Sequence, residues 1–367
     1  MPGKVFAEGF SAMSPLGFTP EENYRAVLEG RSALRLHEGE FGVREPFVAS
    51  LFDRVAVREE AHREGVSGYG FFDTLSILAA AKAVRDAGID PASDRVLFVL
   101  STIKGAGGPL SGSARVLQEH FGLKHPVTLV SNACISGLSA LITARRMLLS
   151  RKGIDHIVVV GAEVQSRFIV TGFQSLKALS PERCRPFDAD RLGLNLGEAA
   201  AAMVLGRDRE ASGWRIEGGA IRNDANHISG PSRTGEGSYN ALKSLMPFPS
   251  TPAFISVHGT ATAYNDEMES IAIERAGLSN VPVSALKGIF GHTMGAAGIL
   301  ESILSMLAAR DGVILPTAGF SHPGTSRPVS VSSEIRRFDP SGPISFIKLL
   351  SGFGGVNAAA LFTYSSK

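Results

Sequence analysis

One cysteine, Cys134, lies between a hydrophobic run and the start of a helical pattern in the segment SNACISGLSALI. The N-terminus of a helix presents unpaired backbone N–H groups and the positive end of the helix dipole, which lower the pKa of a nearby thiol. Such a thiol is a nucleophile. A free cysteine is also a small hydrophobic residue that is usually buried and inert. This segment alone favours the inert role.

Two histidines occupy similar junctions. The segment SVHGTATAYNDEMES places His258 at the end of a predicted strand, and KGIFGHTMGAAG places His292 before a predicted helix, five residues after Lys287. Ligands of open α/β sheets collect at the carboxyl ends of strands. One cysteine and two histidines that converge there predict covalent catalysis with acid–base or oxyanion assistance.

Composition limits the class of protein. The chain has 367 residues, of which 44% are hydrophobic and 20% are charged, and its formal net charge is +2. These values fit a globular protein and give no reason to expect nucleic acid or membrane as a main partner. Cys134 and Cys184 are too few for a disulfide framework or a metal set. The start MPGKVFAEGF lacks the apolar core of a signal peptide, so we expect a cytoplasmic protein.

Short apolar runs alternate with helical patterns along the chain. KVFAEG, RVLFVLS, VTLVSNA, HIVVVGAE and AAMVLG predict strands, and FFDTLSILAAAKAVRDAG and GLSALITARRMLLSRKG predict helices. The second part repeats this alternation with AFISVHG, VPVSA, GAAGILESILSMLAARDG and ISFIKLLSGFGG. Buried strands separated by helices predict a largely parallel sheet covered on both faces.

The two parts of the chain also resemble each other. HPVTLVSNACISGLSAL and VPVSALKGIFGHTMGAAGIL both run from a Pro-Val strand through a turn of small residues into a helix. We therefore predict two similar halves, 1–210 with the nucleophile and 211–367 with the two histidines. No low-complexity linker separates them, so they should pack as one body.

Several motifs together resemble the β-ketoacyl-acyl carrier protein synthases of the elongating type, in the thiolase-like family. The resemblance runs nearly end to end, through KVFAEGFSAMSPLG, SNACISG, GFQSLKALSPERCRPFDADR, DANHISGPSRTGEG, HGTATAYNDEMES, KGIFGHTMGAAG and SGFGGVNAAA. Because these motifs occur in the same order as in the family, the match is specific. It changes the interpretation of Cys134 from an inert buried residue to a nucleophile. The resemblance implies an α/β thiolase-like fold, in which two βα halves pack as five layers, αβαβα.

The resemblance also implies a decarboxylative Claisen condensation. Cys134 would take an acyl group from a thioester, and His258 and His292 would stabilise the enolate formed when a malonyl group on a carrier protein loses carbon dioxide. The N–H groups of Cys134 and Phe353 would form the oxyanion hole. Fixed donors of this kind each contribute about 3–4 kcal/mol to the barrier reduction. Lys287 would hold His292 in place. The scheme requires no metal or organic cofactor.

Further positions follow from the resemblance. Glu198 is a candidate partner of Lys287, although a purely structural role is equally compatible with its sequence context. Thr260, Thr262 and Ser229 match positions that contact the phosphopantetheine arm of the carrier, and Phe353 is also a candidate gate of the acyl pocket.

Some positions depart from the family pattern. Leu192 and Leu194 replace an aspartate and a phenylalanine, which makes a gate residue smaller, and Ile135 after the cysteine is expected to narrow the pocket floor. Ala261 lies where glycine is usual. The segment 103–126 is shorter than its counterpart, which normally helps to build the acyl pocket and the dimer contact. The acyl chain length that family members prefer therefore cannot be assigned to this protein. The changed pocket segments slightly favour a specialised polyene or polyketide pathway over fatty acid synthesis.

Other assignments remain open. The chain could be a non-catalytic chain-length factor that assists another ketosynthase, but such proteins typically lose the cysteine. A thiolase would need a second late cysteine, and an initiating synthase would pair histidine with asparagine. The expected partners are an acidic acyl carrier protein and a second synthase subunit, in a homodimer or a heterodimer. The basic residues considered for carrier docking are Arg58, Arg63, Arg145, Arg146 and Arg151.

Overall fold

The strands of the protein are mainly the apolar runs that the sequence predicts. The computed structural model describes residues 4–207 and 213–365. The strands are β1 (Val5–Met13), β2 (Arg35–His37), β3 (Phe47–Ser50), β4 (Val96–Ser101), β5 (Thr128–Val130), β6 (His156–Glu163), β7 (Leu196–Gly197), β8 (Ala199–Arg207), β9 (Gly213–Asn223), β10 (Phe254–Ser256), β11 (Pro282–Ser284), β12 (Val313–Ile314), β13 (Ser330–Val331), β14 (Arg336–Arg337), β15 (Ile344–Gly352) and β16 (Val356–Ser365).

Helices connect most of these strands and end where the sequence supplies caps. For example, Thr19 caps the first helix by accepting a hydrogen bond from the N–H of Glu22, and Gly88 ends the third in a left-handed conformation. The helices are α1 (Pro20–Leu28), α2 (Arg54–Arg63), α3 (Phe71–Ala87), α4 (Leu110–Phe121), α5 (Ser136–Ser150), α6 (Arg167–Ser175), α7 (Glu236–Lys243), α8 (Ala263–Arg275), α9 (Lys287–Phe290) and α10 (Ala297–Arg310), with short 3₁₀ turns at Glu40–Gly42 and Met294–Ala296.

Two sets of strands repeat the same topology. In an eleven-stranded sheet the order is β13-β11-β10-β15-β16-β9-β1-β8-β6-β4-β5. On one side of the β1–β9 contact, β1-β8-β6 pair antiparallel and β6-β4-β5 pair parallel. On the other side, β9-β16-β15 and β15-β10-β11 repeat that pattern. The sheet is therefore mixed, whereas the sequence predicts a largely parallel one. The strands nearest the β1–β9 contact pair antiparallel, and only the outer strands of each set pair parallel.

The elements stack in five layers. Buried side chains of α2, α3 and α4 pack on the outer face of the first set of strands, and those of α7 and α8 pack on the outer face of the second. Helices α5 and α10 lie between the two sets in the central core cluster. This is the αβαβα arrangement of the thiolase-like fold, as predicted.

The two central helices cross at glycines. A Cβ atom added to Gly298 of α10 would lie 2.2 Å from the backbone nitrogen of Leu138 in α5, and one added to Gly137 would lie 2.8 Å from the carbonyl oxygen of Gly295. Only glycine permits this approach. The crossing brings together the N-terminal ends of α5 and α10, which follow Cys134 and His292 in the chain.

The predicted boundary between the halves, at residues 210 and 211, lies outside the described residues. Among the residues that the structure describes, no helix is both long and apolar enough to cross a bilayer.

Candidate active site

Cys134 lies in the tight turn between β5 and α5. Ala133 adopts a left-handed backbone conformation with φ of 46°, which reverses the chain just before the cysteine. The Ser136 hydroxyl accepts a hydrogen bond from the N–H of Asn132 and donates one to the carbonyl of Ala133. Two ordinary turn residues thus fix the thiol at the start of the helix, with only 6% of the residue exposed.

The structure brings the two predicted histidines to this thiol. His258 follows β10, His292 follows α9, and both are buried. Their ring centroids are 5.1 Å apart and the rings are nearly perpendicular, at 84°. The Sγ of Cys134 and a ring nitrogen from each histidine all lie within 4.8 Å of one another. The predicted convergence of the three side chains is confirmed.

Buried carboxylates hold the backbone that carries His258. Glu269 accepts hydrogen bonds from the N–H groups of His258 and Gly259, each at 2.7 Å, and Asp266 accepts one from Thr260 at 3.0 Å. Burial raises the pKa of Glu269 to about 7 and that of Asp266 to about 6. Both acids come from α8, so this helix fixes the direction in which the His258 ring points.

A buried group of two lysines and one glutamate lies behind the histidines. Lys287 donates to the carbonyl of His258 at 2.7 Å and to one carboxylate oxygen of Glu301 at 3.0 Å. Lys348 donates to the other carboxylate oxygen of Glu301 at 2.6 Å. Burial opposes ionisation of Glu301, but the two lysines lower the pKa of this carboxyl below its ordinary value.

The predicted pairing of Lys287 with Glu198 is wrong. The Glu198 carboxylate is buried, pairs with Arg54 at 2.8 Å and accepts hydrogen bonds from the N–H groups of Phe52 and Gln165. Its role in this arrangement is to anchor two separate segments, one at Phe52 and Arg54 and one at Gln165. Sequence spacing alone does not choose between the two glutamates, and the one signal for Glu301 is its position as the single charge in the apolar run ILESILSML.

The protonation states at the site follow from burial and from the lysines. Burial and the charges of Lys287 and Lys348 lower the pKa of both histidines well below the ordinary value, so the imidazoles are neutral. Burial also raises the pKa of the Cys134 thiol to about 11, although Lys287 and a hydrogen bond from the backbone of Phe353 act in the opposite direction. The predicted lowering of this pKa by the helix is therefore wrong, because desolvation outweighs the helix N-terminus.

Two backbone N–H groups lie close enough to the sulfur atom to favour its ionised form. Those of Phe353 and of Cys134 itself both act to lower the pKa of the thiol. The chain can approach this closely because residue 352 is glycine: a Cβ there would lie 3.0 Å from the backbone nitrogen of Cys134. The two N–H groups have the arrangement of an oxyanion hole.

A cavity of about 500 Å³ leads from the surface to the thiol. Its inner wall includes the three converging residues, and its rim includes the exposed side chains of Leu192 and Tyr264. Eight of the eleven predicted site residues line it: Cys134, His258, His292, Phe353, Thr260, Thr262, Ser229 and Leu194. The hydroxyls of Thr260 and Thr262 lie 2.9 Å apart, and both residues line the cavity.

Aromatic and aliphatic side chains narrow the cavity. Phe353 is 37% exposed and stacks on Phe173, with ring centroids 5.6 Å apart. Leu194 is buried and packs in the same apolar cluster as Phe173 and Met294. Sequence reasoning missed Phe173, whose only local signal is the amphipathic pattern of α6.

Three predicted residues lie outside the cavity wall: Lys287, Glu198 and Ile135. Ile135 is fully buried in the central core cluster, so it does not narrow the pocket floor as predicted. At position 261 alanine adopts a left-handed backbone with φ of 60°, which glycine adopts without strain. The backbone at position 261 therefore has the conformation that the glycine usual in this family adopts easily, although the residue here is alanine.

The basic residues of α5 are not at the cavity mouth. Arg145 donates to the carbonyls of Ile216 and Glu217, and Arg146 donates to that of Gly219. The helix from Ser136 to Ser150 is about 22 Å long at 1.5 Å per residue, and Cys134 precedes its other end. Arg145 and Arg146 therefore anchor β9. Exposed Lys177 lines the cavity instead.

The remaining sequence assignments are mixed. Cys184 is fully buried, its thiol donates to the carbonyl of Lys287, and burial raises its pKa to about 12, which agrees with a bystander role. His227 is exposed and lines the cavity beside Ser229, a position that the motifs of the sequence do not assign to it. Glu301 and Lys348 were missed, although each is the single charged residue in an apolar run, ILESILSML and ISFIKLLSG.

One sulfur and two imidazole nitrogens are also donors that Zn²⁺ accepts. Within residues 4–207 and 213–365, no other group of three His, Cys, Asp or Glu side chains has such an arrangement. An ion bound there would occupy the nucleophile.

A buried thiol, two neutral imidazoles and paired N–H groups at the end of a cavity are the groups that acyl transfer through a cysteine and stabilisation of an oxyanion require. Comparisons with known proteins agree with this chemistry. The sequence models described as "Beta-ketoacyl synthase, N-terminal domain" and "Beta-ketoacyl synthase, C-terminal domain" match residues 102–211 and 214–321. The chain belongs to the β-ketoacyl synthase family and is a condensing acyltransferase.

Relatives of known function cover nearly the whole chain. The 3-oxoacyl-[acyl-carrier-protein] synthase 2 of Vibrio cholerae is 26% identical, over 98% of this chain and 98% of its own length. The tetracenomycin polyketide synthase ketoacyl synthase alpha subunit of Streptomyces glaucescens is 28% identical, over 86% of each chain. These relatives come from both fatty acid and polyketide synthesis.

Solved structures establish the fold independently. The Xenorhabdus doucetiae ketosynthase ApeO, determined in complex with its chain length factor ApeC, has a TM-score of 0.85 at 23% identity and covers 99% of this chain and 98% of its own. A β-ketoacyl synthase from Burkholderia phymatum has a TM-score of 0.84 at 24% identity, over 99% of this chain and 100% of its own.

Proposed function

We propose that this enzyme condenses a malonyl group on an acyl carrier protein with an acyl group held on Cys134. The observation that carries the proposal is the meeting of one buried thiol and two neutral imidazoles, with ligand atoms within 4.8 Å of one another, at the end of a single cavity. The product is a 3-oxoacyl thioester two carbons longer than the acyl group.

Acyl transfer comes first. Because the thiol is protonated, its proton passes to a neighbouring neutral imidazole as sulfur attacks the thioester carbonyl, and then to the departing carrier thiol. The N–H groups of Cys134 and Phe353 receive the oxyanion of the tetrahedral intermediate. The bond to the carrier sulfur breaks and the acyl group remains on Cys134.

Condensation follows when a malonyl carrier enters. Its carboxylate leaves as carbon dioxide, and N–H donors of His258 and His292 stabilise the thioester enolate. The enolate carbon attacks the acyl-cysteine carbonyl, and the intermediate collapses with release of the Cys134 thiolate, which takes up one proton. Neutral imidazoles suit this step because they can donate a hydrogen bond without protonating the enolate carbon.

The cavity suits a long tethered substrate. Thr260, Thr262 and Ser229 lie between the rim and the thiol, where an extended phosphopantetheine arm would pass. Exposed Lys177 on the rim offers a positive charge to an acidic carrier. Phe353 and Phe173 separate this route from the acyl group, and Leu194 limits the space available to it.

Association with a second synthase subunit, identical or related, is part of the proposal. Strand β5 is the last strand of the eleven-stranded sheet, is half-buried, and pairs with β4 alone among the described strands. Such an edge can add a strand from another subunit. We also propose a division into halves 1–210 and 211–367, and residence in the cytoplasm where carrier proteins are loaded.

Mass spectrometry after incubation with a panel of acyl carriers tests the function. We expect a covalent acyl adduct on Cys134 that disappears in Cys134→Ala, and a 3-oxoacyl carrier after malonyl carrier is added. The matched control is Cys184→Ala, which should retain the adduct because the Cys184 thiol does not line the cavity and cannot meet the thioester. Inertness toward every donor, alone and with a partner synthase, would instead favour a non-catalytic chain-length factor.

A further inference from the structure

Lys348 is a cation in the interior of an apolar strand. It lies in β15, in the run ISFIKLLSG, and none of its surface is exposed. An unpaired buried ammonium group costs several kcal/mol. The fold must therefore surround it with compensating oxygen atoms.

Four oxygen atoms surround the Lys348 ammonium group. It donates to the carbonyls of Ser256 and Val257, each at 3.1 Å, to the Ser256 hydroxyl at 3.2 Å and to Glu301 at 2.6 Å. Ser256 ends β10, and Val257 immediately precedes His258. One side chain thus fixes the two residues that lead into a catalytic histidine.

The same carboxylate connects Lys348 to the second lysine. Glu301 binds Lys348 through one oxygen and Lys287 through the other, and Lys287 continues to the carbonyl of His258. Consecutive carbonyls at 256, 257 and 258 are therefore all held by lysine ammonium groups. Neither lysine lines the cavity, so both act through the backbone and through their charge.

We propose that Lys348 is a positioning residue: its ammonium group holds the end of β10 and Glu301 in the arrangement that directs His258 and His292 at the thiol. This inference rests on the proposed condensation. Lys348 lies 56 positions beyond His292 in the sequence, and no motif around it indicates this role. Without the ammonium group, the carbonyls of Ser256 and Val257 lose their shared donor, and the His258 backbone is held by Lys287 and Glu269 alone.

The charge of Lys348 also distinguishes positioning from simple stabilisation. The charges of Lys287 and Lys348 lower the pKa of both imidazoles, and His292 adds to this effect on His258. Cys134 is the third group of the cluster, and the carboxyls of Glu301 and Glu269 bind the two lysines and the His258 N–H. Removal of one positive charge from this set raises the pKa of the imidazoles. The acidic limb of the rate profile then moves to higher pH.

The test compares Lys348→Met with wild type in malonyl-carrier decarboxylation. We expect kcat to fall roughly tenfold to a hundredfold with little change in KM, as for a small misplacement of a catalytic group, and the acidic limb to move upward. Methylammonium, but not methanol, should restore part of kcat in Lys348→Ala. Lys82→Met is the matched control, because Lys82 is also a largely buried, carboxylate-paired lysine but lies on the outer helix α3.

The outcomes separate the two proposals. Wild-type kcat and an unmoved acidic limb in a folded Lys348→Met protein would overturn the positioning role while leaving the condensation intact. If that variant does not fold, Lys348→Gln replaces it, because its side chain keeps N–H donors but has no charge. Its kcat and acidic limb are then compared with those of wild type in the same way. Absence of decarboxylation in wild type, with every malonyl carrier tried, would instead remove the proposed function itself.

Discussion

Cys134 is protonated at neutral pH because burial holds its pKa near 11. The nucleophile therefore depends on proton transfer at the moment of attack, and the neutral imidazoles beside it can accept that proton. A thiolate that persisted in the empty site would be exposed to oxidation and alkylation. The charge of Lys287 limits the cost of ionisation without removing it. At the residue scale, burial keeps the thiol protonated, and two imidazoles that can accept its proton lie beside it.

Alkylation by iodoacetamide should follow this ionisation. With a pKa of about 11, the thiolate fraction is about one in a thousand at pH 8 and rises tenfold for each pH unit up to pH 10. We expect the rate of Cys134 modification, measured by mass spectrometry, to rise in parallel. Lys287→Met should lower the rate at each pH, because loss of a positive charge raises the thiol pKa further. A rate that is flat from pH 8 to 10 would contradict this protonation state.

The two half-reactions should separate in His292→Ala. Acyl transfer needs only one imidazole as proton acceptor, whereas the enolate loses one of its two hydrogen-bond donors. Loss of a donor of this kind costs about 3–4 kcal/mol, or 10²–10³ in kcat. We expect acylation of Cys134 by acyl carrier to persist while carbon dioxide release from malonyl carrier falls by that factor. Wild-type rates of both steps would mean that His292 has another role.

The limits of sequence reasoning are clearest for single charges. Cys134, His258 and His292 could be predicted because each lies in a recognisable turn beside glycines or small residues. Glu301 and Lys348 lie in a helix and a strand whose surroundings carry no motif, and their contacts join positions 47 residues apart. A lone charge within an apolar run was the available signal. The thiol pKa was mispredicted because a helix N-terminus is visible in the sequence and desolvation is not.

At the scale of elements, two strand-turn-helix units create the site. β5 and α5 flank Cys134, and β11 and α10 flank His292 in the equivalent place of the second set of strands. The sequence similarity between these segments predicted their correspondence correctly. The strand order could not be predicted in the same way, because the antiparallel pairs β1–β8 and β9–β16 join distant segments. Local patterns show which residues form strands but not which strands pair.

The crossing of α5 and α10 makes a prediction about glycine. Gly298→Ala would place a methyl group 2.2 Å from the backbone nitrogen of Leu138, so the helices must separate. We expect a loss of stability of about 1–3 kcal/mol in urea unfolding, together with reduced condensation, because both helix N-termini carry the site. Gly112→Ala in α4 is the control, because a Cβ there meets nothing within 4 Å, and it should stabilise by about 0.5–1 kcal/mol. Equal effects of the two substitutions would contradict a tight crossing.

The whole molecule depends on a central layer to which both halves contribute. α10 is apolar on nearly all sides, and twelve of its fourteen residues are buried. A helix of this kind needs partners on every face. One face packs on the strands of its own half, and the other packs against α5 and the strands of the first half. The three site residues come from both sets of strands, because Cys134 follows β5 of the first set and His258 follows β10 of the second.

Separate expression of 1–210 and 211–367 should therefore fail to give folded proteins. Burial of an aliphatic side chain contributes about 1.5–3 kcal/mol, and Ile299, Leu300, Ile303 and Leu304 of α10 are all buried in the central core cluster. Exposure of these four side chains would cost about 6–12 kcal/mol, which is comparable to the 5–15 kcal/mol that stabilises a typical domain. We expect the intact chain to unfold in urea in one transition, by circular dichroism and by fluorescence of its single tryptophan, Trp214. A cooperative transition in either isolated half, or two transitions in the intact chain, would show that the central layer does not couple them.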